Sequence, residues 1–297
     1  MKHKKAIDRA LRLKGQEEVR KKNITDYFVN FSKPHIEWLR RLSADYKERN
    51  DFGVHPFILA DYYKKPEDRE IALFASLLVS ENDNIRKQVD HLRRLISDEP
   101  YKWFSNREFV SISMGRNQNK RIEGCSVFFW QLSRLFERIY DICQQEGNME
   151  TAVMQTMKLN NSTAFGAMTY YLQNLVGLGS PWWRLNFLLI RLFRPDGLGM
   201  GLWGKGDEPL LCPYNSGVKE FIQTWFPDYR RVGSSFECIK YFGFDDDVDF
   251  FYAYLGYKEL QRRKPNECGY YATRYQSWYE CSFKAKPYRW REIMPEI

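Results

Sequence analysis

The segment WWRLNFLLIRLF (182–193) is apolar on nearly every side, broken only by Arg184, Asn186 and Arg191. A helix of that kind must be central, with packed neighbours around most of its circumference. The chain supplies such neighbours with the same period. Ile71, Phe74, Ala75 and Leu78 recur at i, i+3, i+4 and i+7 behind an acidic, proline-bearing start, PEDRE, which is how a helix shows one face to a core. Val89, Leu92 and Ile96 outline a second helix that ends near Pro100, with a turn at 81–84 between the two. Leu132, Leu135, Phe136, Ile139, Tyr140 and Cys143 give the cleanest amphipathic face, stopped by Gly147; Met168, Tyr171, Leu172 and Leu175 give another, ended by the turn at Gly177–Pro181. Two more follow, at Val218, Phe221, Ile222 and Trp225 and at Val248, Phe251, Tyr252 and Leu255. No stretch alternates as a strand. The periodicity predicts an all-α protein.

Length and composition bound the rest. The 297 residues allow one large or two small domains at about 150 residues each. Six cysteines at 125, 143, 212, 238, 268 and 281 are spaced like neither a zinc site nor an iron–sulfur site. A reducing, cytoplasmic setting follows as the simpler expectation. The longest near-apolar stretch, 71–79, falls far short of the roughly 20 residues that span a bilayer, and the N-terminal segment has no apolar signal core, so no membrane partner is expected. Charge is concentrated at one end. Residues 1–50 hold 14 basic and 7 acidic side chains, a local +7 within a total of +8. A basic helical arm favours a polyanion partner, although such an arm also serves as a solubilising device. The sequence therefore divides into an arm (1–50), a helical body (51–257) and a basic, aromatic C-terminal extension (258–297).

Candidate chemistry gathers around the central helix. Gly177-Leu-Gly-Ser-Pro181 is a helix–turn–helix junction, and a helix N-terminus there can hold a phosphate on its unpaired N–H groups. The alternative is a tight turn capped by Ser180. Arg184 and Arg191 lie two turns apart on one side of the helix, with Arg194 just beyond its end; each can take a phosphate or pair with a buried acid. Asp196, after Pro195, fits a turn or cap, or a carboxylate that faces a cleft or braces Arg194. The glycine-rich passage 195–209 reads as an irregular excursion. Asp245, Asp246, Asp247 and Asp249 read as acids favoured by a helix start rather than as a metal site. His3, His35, His55 and His91 have no ligand spacing, and His55 before Pro56 suits capping or packing. No nucleotide loop, dinucleotide fingerprint or metalloprotease motif is present, so no cofactor and no metal are expected.

Three ordered blocks, GSPWWRLNFLLIRLFRPDGLGMGLW (179–203), LLCPYNSGVKEFI (210–222) and DDDVDFFYAYLGY (245–257), together with HPFILADYYKKPEDREIALFASLLV (55–79), resemble the uncharacterised bacterial family DUF2400. That family is regarded as a distant branch of the helix–hairpin–helix DNA glycosylases. The resemblance implies a two-lobed helical bundle that binds DNA, takes an everted base into an inter-lobe groove and receives a backbone phosphate at the hairpin. Gly177, Gly179, Ser180, Trp182, Trp183, Arg184, Arg191 and Arg194 are the DNA-binding residues it implies, with Asn215 and Asp196 as catalytic positions. The chain departs from the family at two of them. Where the family reads Pro-Leu-Asp-x-His, this chain reads Pro213-Tyr214-Asn215-Ser216-Gly217, so Asn215 keeps the shape of a catalytic aspartate without its charge. Trp183 stands about where bifunctional relatives carry the Schiff-base lysine, so lyase chemistry is not expected. The resemblance leaves three readings. They are an enzyme acting on a modified or unusual base with Asp196 or another, unassigned residue supplying charge, a phage-type transferase that hypermodifies a substituted thymine, and a non-catalytic DNA binder.

Overall fold

The computed structural model describes residues 33–48, 55–80, 84–112, 114, 119–123, 125, 127–172, 182–204, 210–225, 244 and 246–262. These residues form helices and no strand; an isolated antiparallel bridge joins Arg121 to Phe128. None of the described helices is long and apolar enough to cross a membrane. Chain contacts divide the protein into two compact units, Lys47–Asn215 and Met1–Tyr46 with Ser216–Ile297.

In the Lys47–Asn215 unit, a 3-10 turn (Ile58–Tyr62) leads into α2 (Pro66–Ser76), numbered after α1 (Lys33–Lys47). Pro66 sits in the first turn of α2, where a missing N–H costs nothing, and Glu67 and Asp68 face the positive end of the dipole. From Ile71 to Ser76 every residue of α2 is buried, a wider face than the periodic positions alone predict. The reason is its position. The 3-10 turn, α3 (Ile85–Ile96), α4 (Pro100–Ser105) and α9 (Trp182–Phe193) all pack against it. Asp68 ties two of these helices together, its Oδ1 accepting from the Tyr101 N–H (2.9 Å) in the first turn of α4.

The remaining helices close the core. Asn84 caps α3 by accepting from the Lys87 N–H (3.2 Å), and Val89, Leu92 and Ile96 are buried as their spacing predicts. Gln88 on the same helix is fully buried and clamps both backbone groups of Ser80, at 2.8 and 2.9 Å. After α5 (Glu108–Ile112), α6 (Phe129–Glu146) buries Leu132, Leu135, Phe136 and Ile139 and ends at Gly147, whose φ of 90° suits glycine. Trp103 and Phe136 meet edge to face at 5.1 Å, and Phe104 and Tyr140 at 5.6 Å. Asn148 caps α7 (Met149–Asn160) through the Thr151 N–H (2.7 Å), and α8 (Ala164–Leu172) lies between α7 and α9.

The glycine-rich passage is less irregular than its composition suggests. From Pro195 it folds back on the end of α9: Met200 N–H donates to Arg191 O (2.8 Å), Gly201 N–H to Arg194 O (2.8 Å) and Trp203 N–H to Leu192 O (2.9 Å). Two of the carbonyls that a helix leaves unpaired at its C-terminus, those of Arg191 and Leu192, are thereby satisfied. Such close approach requires a glycine at 199, because a Cβ there would stand 1.9 Å from the Arg194 carbonyl oxygen. Gly199→Ala is expected to cost about 1–3 kcal/mol by forcing two backbone segments apart, read as a lower urea midpoint. An unchanged midpoint would show that the passage does not hold this path.

The other unit, in its described residues, comprises α1, α10 (Ser216–Trp225) and α11 (Asp247–Arg262). A Cβ at Gly256 of α11 would lie only 3.5 Å from the Leu42 carbonyl oxygen of α1, so these helices meet closely, and the Tyr46 and Tyr252 rings stand 5.6 Å apart. The last part of the expected basic arm is therefore a packed helix. Phe221 of α10 lies among Phe250 (5.6 Å), Tyr254 (5.7 Å) and Tyr257 (5.1 Å). Asp246 caps α11 by accepting from the Val248 N–H (2.7 Å), the structural role expected for that acidic group.

Candidate functional site

Charged side chains collect at the C-terminal end of α9. Arg191 is an ionised group in an apolar helix, and burial of its guanidinium demands a counter-charge. The structure provides one from a segment 130 residues away in the chain. Arg191 is 2% exposed; one terminal nitrogen donates to Asp61 Oδ1 and the other to the Leu198 carbonyl of the returning passage. Asp61 lies in the 3-10 turn with 40% of its side chain open to solvent. Its carboxylate is thus anchored by Arg191 while the side chain stays partly open to solvent.

His55 completes this cluster. Its Nδ1 accepts from the Phe57 N–H (3.2 Å), which places the proton of the neutral ring on Nε2, 3.6 Å from Asp61 Oδ2. Burial lowers the basicity of His55 more than the Asp61 carboxylate raises it, and the Arg191 charge lowers it further. The ring packs against Phe187 at 5.7 Å. For Asp61 the balance runs the other way. Burial alone would raise its carboxyl, but His55 and the Arg191 charge outweigh that and hold it below the ordinary carboxylate range. One turn further on, Arg194 Nε donates to Asp196 Oδ1 (3.2 Å), and Lys47 Nζ stands 3.6 Å from Asp196 Oδ2. Asp196 braces Arg194, and its side chain is 35% exposed.

The other predicted residues are distributed as follows. Arg184 donates to the Leu77 carbonyl (2.9 Å) at the end of α2 and lies 5.4 Å over the half-buried Trp183 ring. Arg184, Arg191 and Arg194 therefore all meet acceptors within the unit, and Arg191 takes the ion-pair role of the two open to it. Trp182 begins α9, with its side chain outside the described residues; Gly177, Gly179 and Ser180 also lie outside them. Asn215 is half-buried immediately before α10 and is not a core residue. Asp245 falls outside the described residues.

Comparisons with protein-family models, with curated proteins and with solved structures return no match to the chain.

Two functional candidates escaped the sequence reading. Asp61 sits in LADYY, which reads as an ordinary polar position, and its partner Arg191 is 130 residues away. Glu70 reads as part of the acidic start of α2, yet it accepts from the Trp203 indole N–H (3.0 Å), and burial pushes its carboxyl up to about 7 against that bond, with the nearby Glu150 adding to the rise. The only signal for either was a charged residue beside an apolar run.

Proposed function

We propose that this protein is a DNA-binding enzyme of helix–hairpin–helix type, working in the cytoplasm, that acts on a modified or unusual base. The observation that carries the reading is the carboxylate of Asp61, held ionised by Arg191 and His55 on a side chain that is 40% exposed. A fixed negative charge of that kind stabilises positive charge developing on a sugar or on a base substituent, because its orientation is set before the reaction begins. Asp196, braced by Arg194 and Lys47, offers a second such carboxylate. On this reading one of these acids takes over the charge that Asn215 lacks. The net charge of +8 favours approach to a polyanion.

Titration of single- and double-stranded DNA at several salt concentrations tests the partner. Binding at low salt that weakens steeply as salt rises is expected, since phosphate contacts release counterions; no binding at low salt overturns the proposal. Chemistry is then read on DNA carrying modified bases. Release of free base marks cleavage of the glycosidic bond, whereas added mass retained on polymeric DNA marks group transfer to the base. With binding but neither outcome, the enzymatic part of the proposal fails.

A further inference from the structure

The Lys47–Asn215 unit contains a cavity of about 200 Å³ away from the arginine–carboxylate cluster, enclosed by α2, α4, α6 and the start of α7. Its walls carry the rings of Phe74, Tyr101, Phe104 and Tyr140, and Glu70 is the one carboxyl group among its lining residues. Among the described residues, no Lys, Arg or His lines it. The Glu70 carboxyl is fixed in place by the Trp203 indole N–H at 3.0 Å. Glu150, whose Oε1 accepts from the Gly204 N–H (2.6 Å), adds a second negative charge close enough to act on Glu70. A space with these walls discriminates by charge. An anion meets a carboxyl among aromatic side chains, and a neutral ligand leaves that carboxyl uncompensated. A cation meets a counter-charge and ring faces together.

We propose that this cavity binds a small organic ammonium, an amine on a short apolar stem, with Glu70 as its counter-ion and the aromatic rings around the stem. The volume suits a small amine, since pockets for drug-sized ligands run to roughly 300–1,000 Å³. Tyr101, half-exposed at the rim, leaves a route of entry. The inference is independent of the proposed action on DNA, because the residues differ and binding is read without DNA.

Protonation links affinity to pH. The described titratable groups around Glu70 are Tyr101 from α4, Tyr140 and Cys143 from α6, and Glu150 from α7, with the Arg107 guanidinium 5.0 Å over the Tyr140 ring. Burial and the neighbouring Glu70 push the Cys143 thiol up to about 11, so it stays neutral and does not compete as an anion. Glu70, raised to about 7, must lose its proton to receive a cation. Amine binding therefore releases a proton below pH 7 and releases none well above it.

Calorimetric titration of the full-length protein with benzylammonium, and with benzyl alcohol as the neutral counterpart, tests the site. Benzylammonium is expected to bind at pH 8 at least tenfold more tightly than benzyl alcohol, with affinity falling about tenfold per pH unit below pH 7. Heats measured below pH 7 in two buffers of different ionisation enthalpy should differ by one released proton. Glu70→Gln should lose at least tenfold in affinity and all of the pH dependence, while its thermal melt shows that it remains folded. Tyr101→Ala should weaken binding several-fold and keep the pH dependence. Equal binding of the two probes, absence of benzylammonium binding, or undiminished binding by Glu70→Gln overturns the proposal.

Discussion

Asp61→Ala is expected to destabilise the protein by about 3–5 kcal/mol, because it strands an ionised guanidinium in an apolar interior. Arg191→Met should cost less, by roughly 1–2 kcal/mol, even though it removes the other half of the same pair. The difference follows from exposure. Arg191 is 2% exposed and cannot turn to water, whereas 40% of the Asp61 side chain already faces it and methionine refills much of the lost volume. Urea midpoints of the two variants measure the asymmetry directly. A larger loss for Arg191→Met would mean that the guanidinium's contact with the Leu198 carbonyl, rather than the ion pair, holds the end of α9 in place.

The same cluster sets an acid limit. His55 is less basic folded than its ordinary 6.5, so the unfolded chain takes up a proton first and stability is lost as pH falls below that value. Asp61 is depressed below 3.8, so its contribution is intact above that pH and is lost further into acid. The cluster thus stands fully assembled at neutral pH, the condition under which its carboxylate was assigned a role.

Helices were legible where one face carries the burial. Leu132, Leu135, Phe136 and Ile139 are buried at their predicted spacing, and Gly147 ends that helix where a glycine was expected to. Legibility failed where the apolar face was made of small or polar groups. Met149–Asn160 packs through Met149, Ala152, Val153 and Thr156, which carry the helical spacing without the usual bulk, and the short helices Pro100–Ser105 and Glu108–Ile112 are too brief to show a period. For the site, the sequence marked one member of the buried pair. Arg191 drew notice because a charge in WWRLNFLLIRLF needs an explanation, but nothing local points from it to Asp61. Asp196 and Arg194 were legible together because they are two residues apart. Partners that meet through tertiary folding leave no mark on sequence spacing. Glu70 illustrates the point most sharply, since its neighbours Trp203 and Glu150 come from other parts of the chain.

Trp203→Ala is expected to cost about 3–5 kcal/mol at pH 7. The indole is 2% exposed, meets Phe193 edge to face at 5.6 Å and lies 6.2 Å from Phe74, so its loss opens a cavity between α2 and the passage that returns along α9. Trp203→Phe separates packing from hydrogen bonding. It keeps most of the ring contact but removes the N–H that Glu70 accepts, and should cost about 1–3 kcal/mol. The two terms also differ in pH dependence. Glu70 is raised from 4.5 to about 7, so its contribution to stability is fully present below pH 4.5 and is lost as pH rises through 7. Without the indole N–H its carboxyl rises further, and the loss extends to higher pH. Denaturation at pH 5, 7 and 8 should therefore show Trp203→Phe falling away from the parent protein as pH rises, with Trp203→Phe/Glu70→Gln free of that added slope. A constant deficit for Trp203→Phe at all three pH values would mean that the indole acts on Glu70 through packing alone.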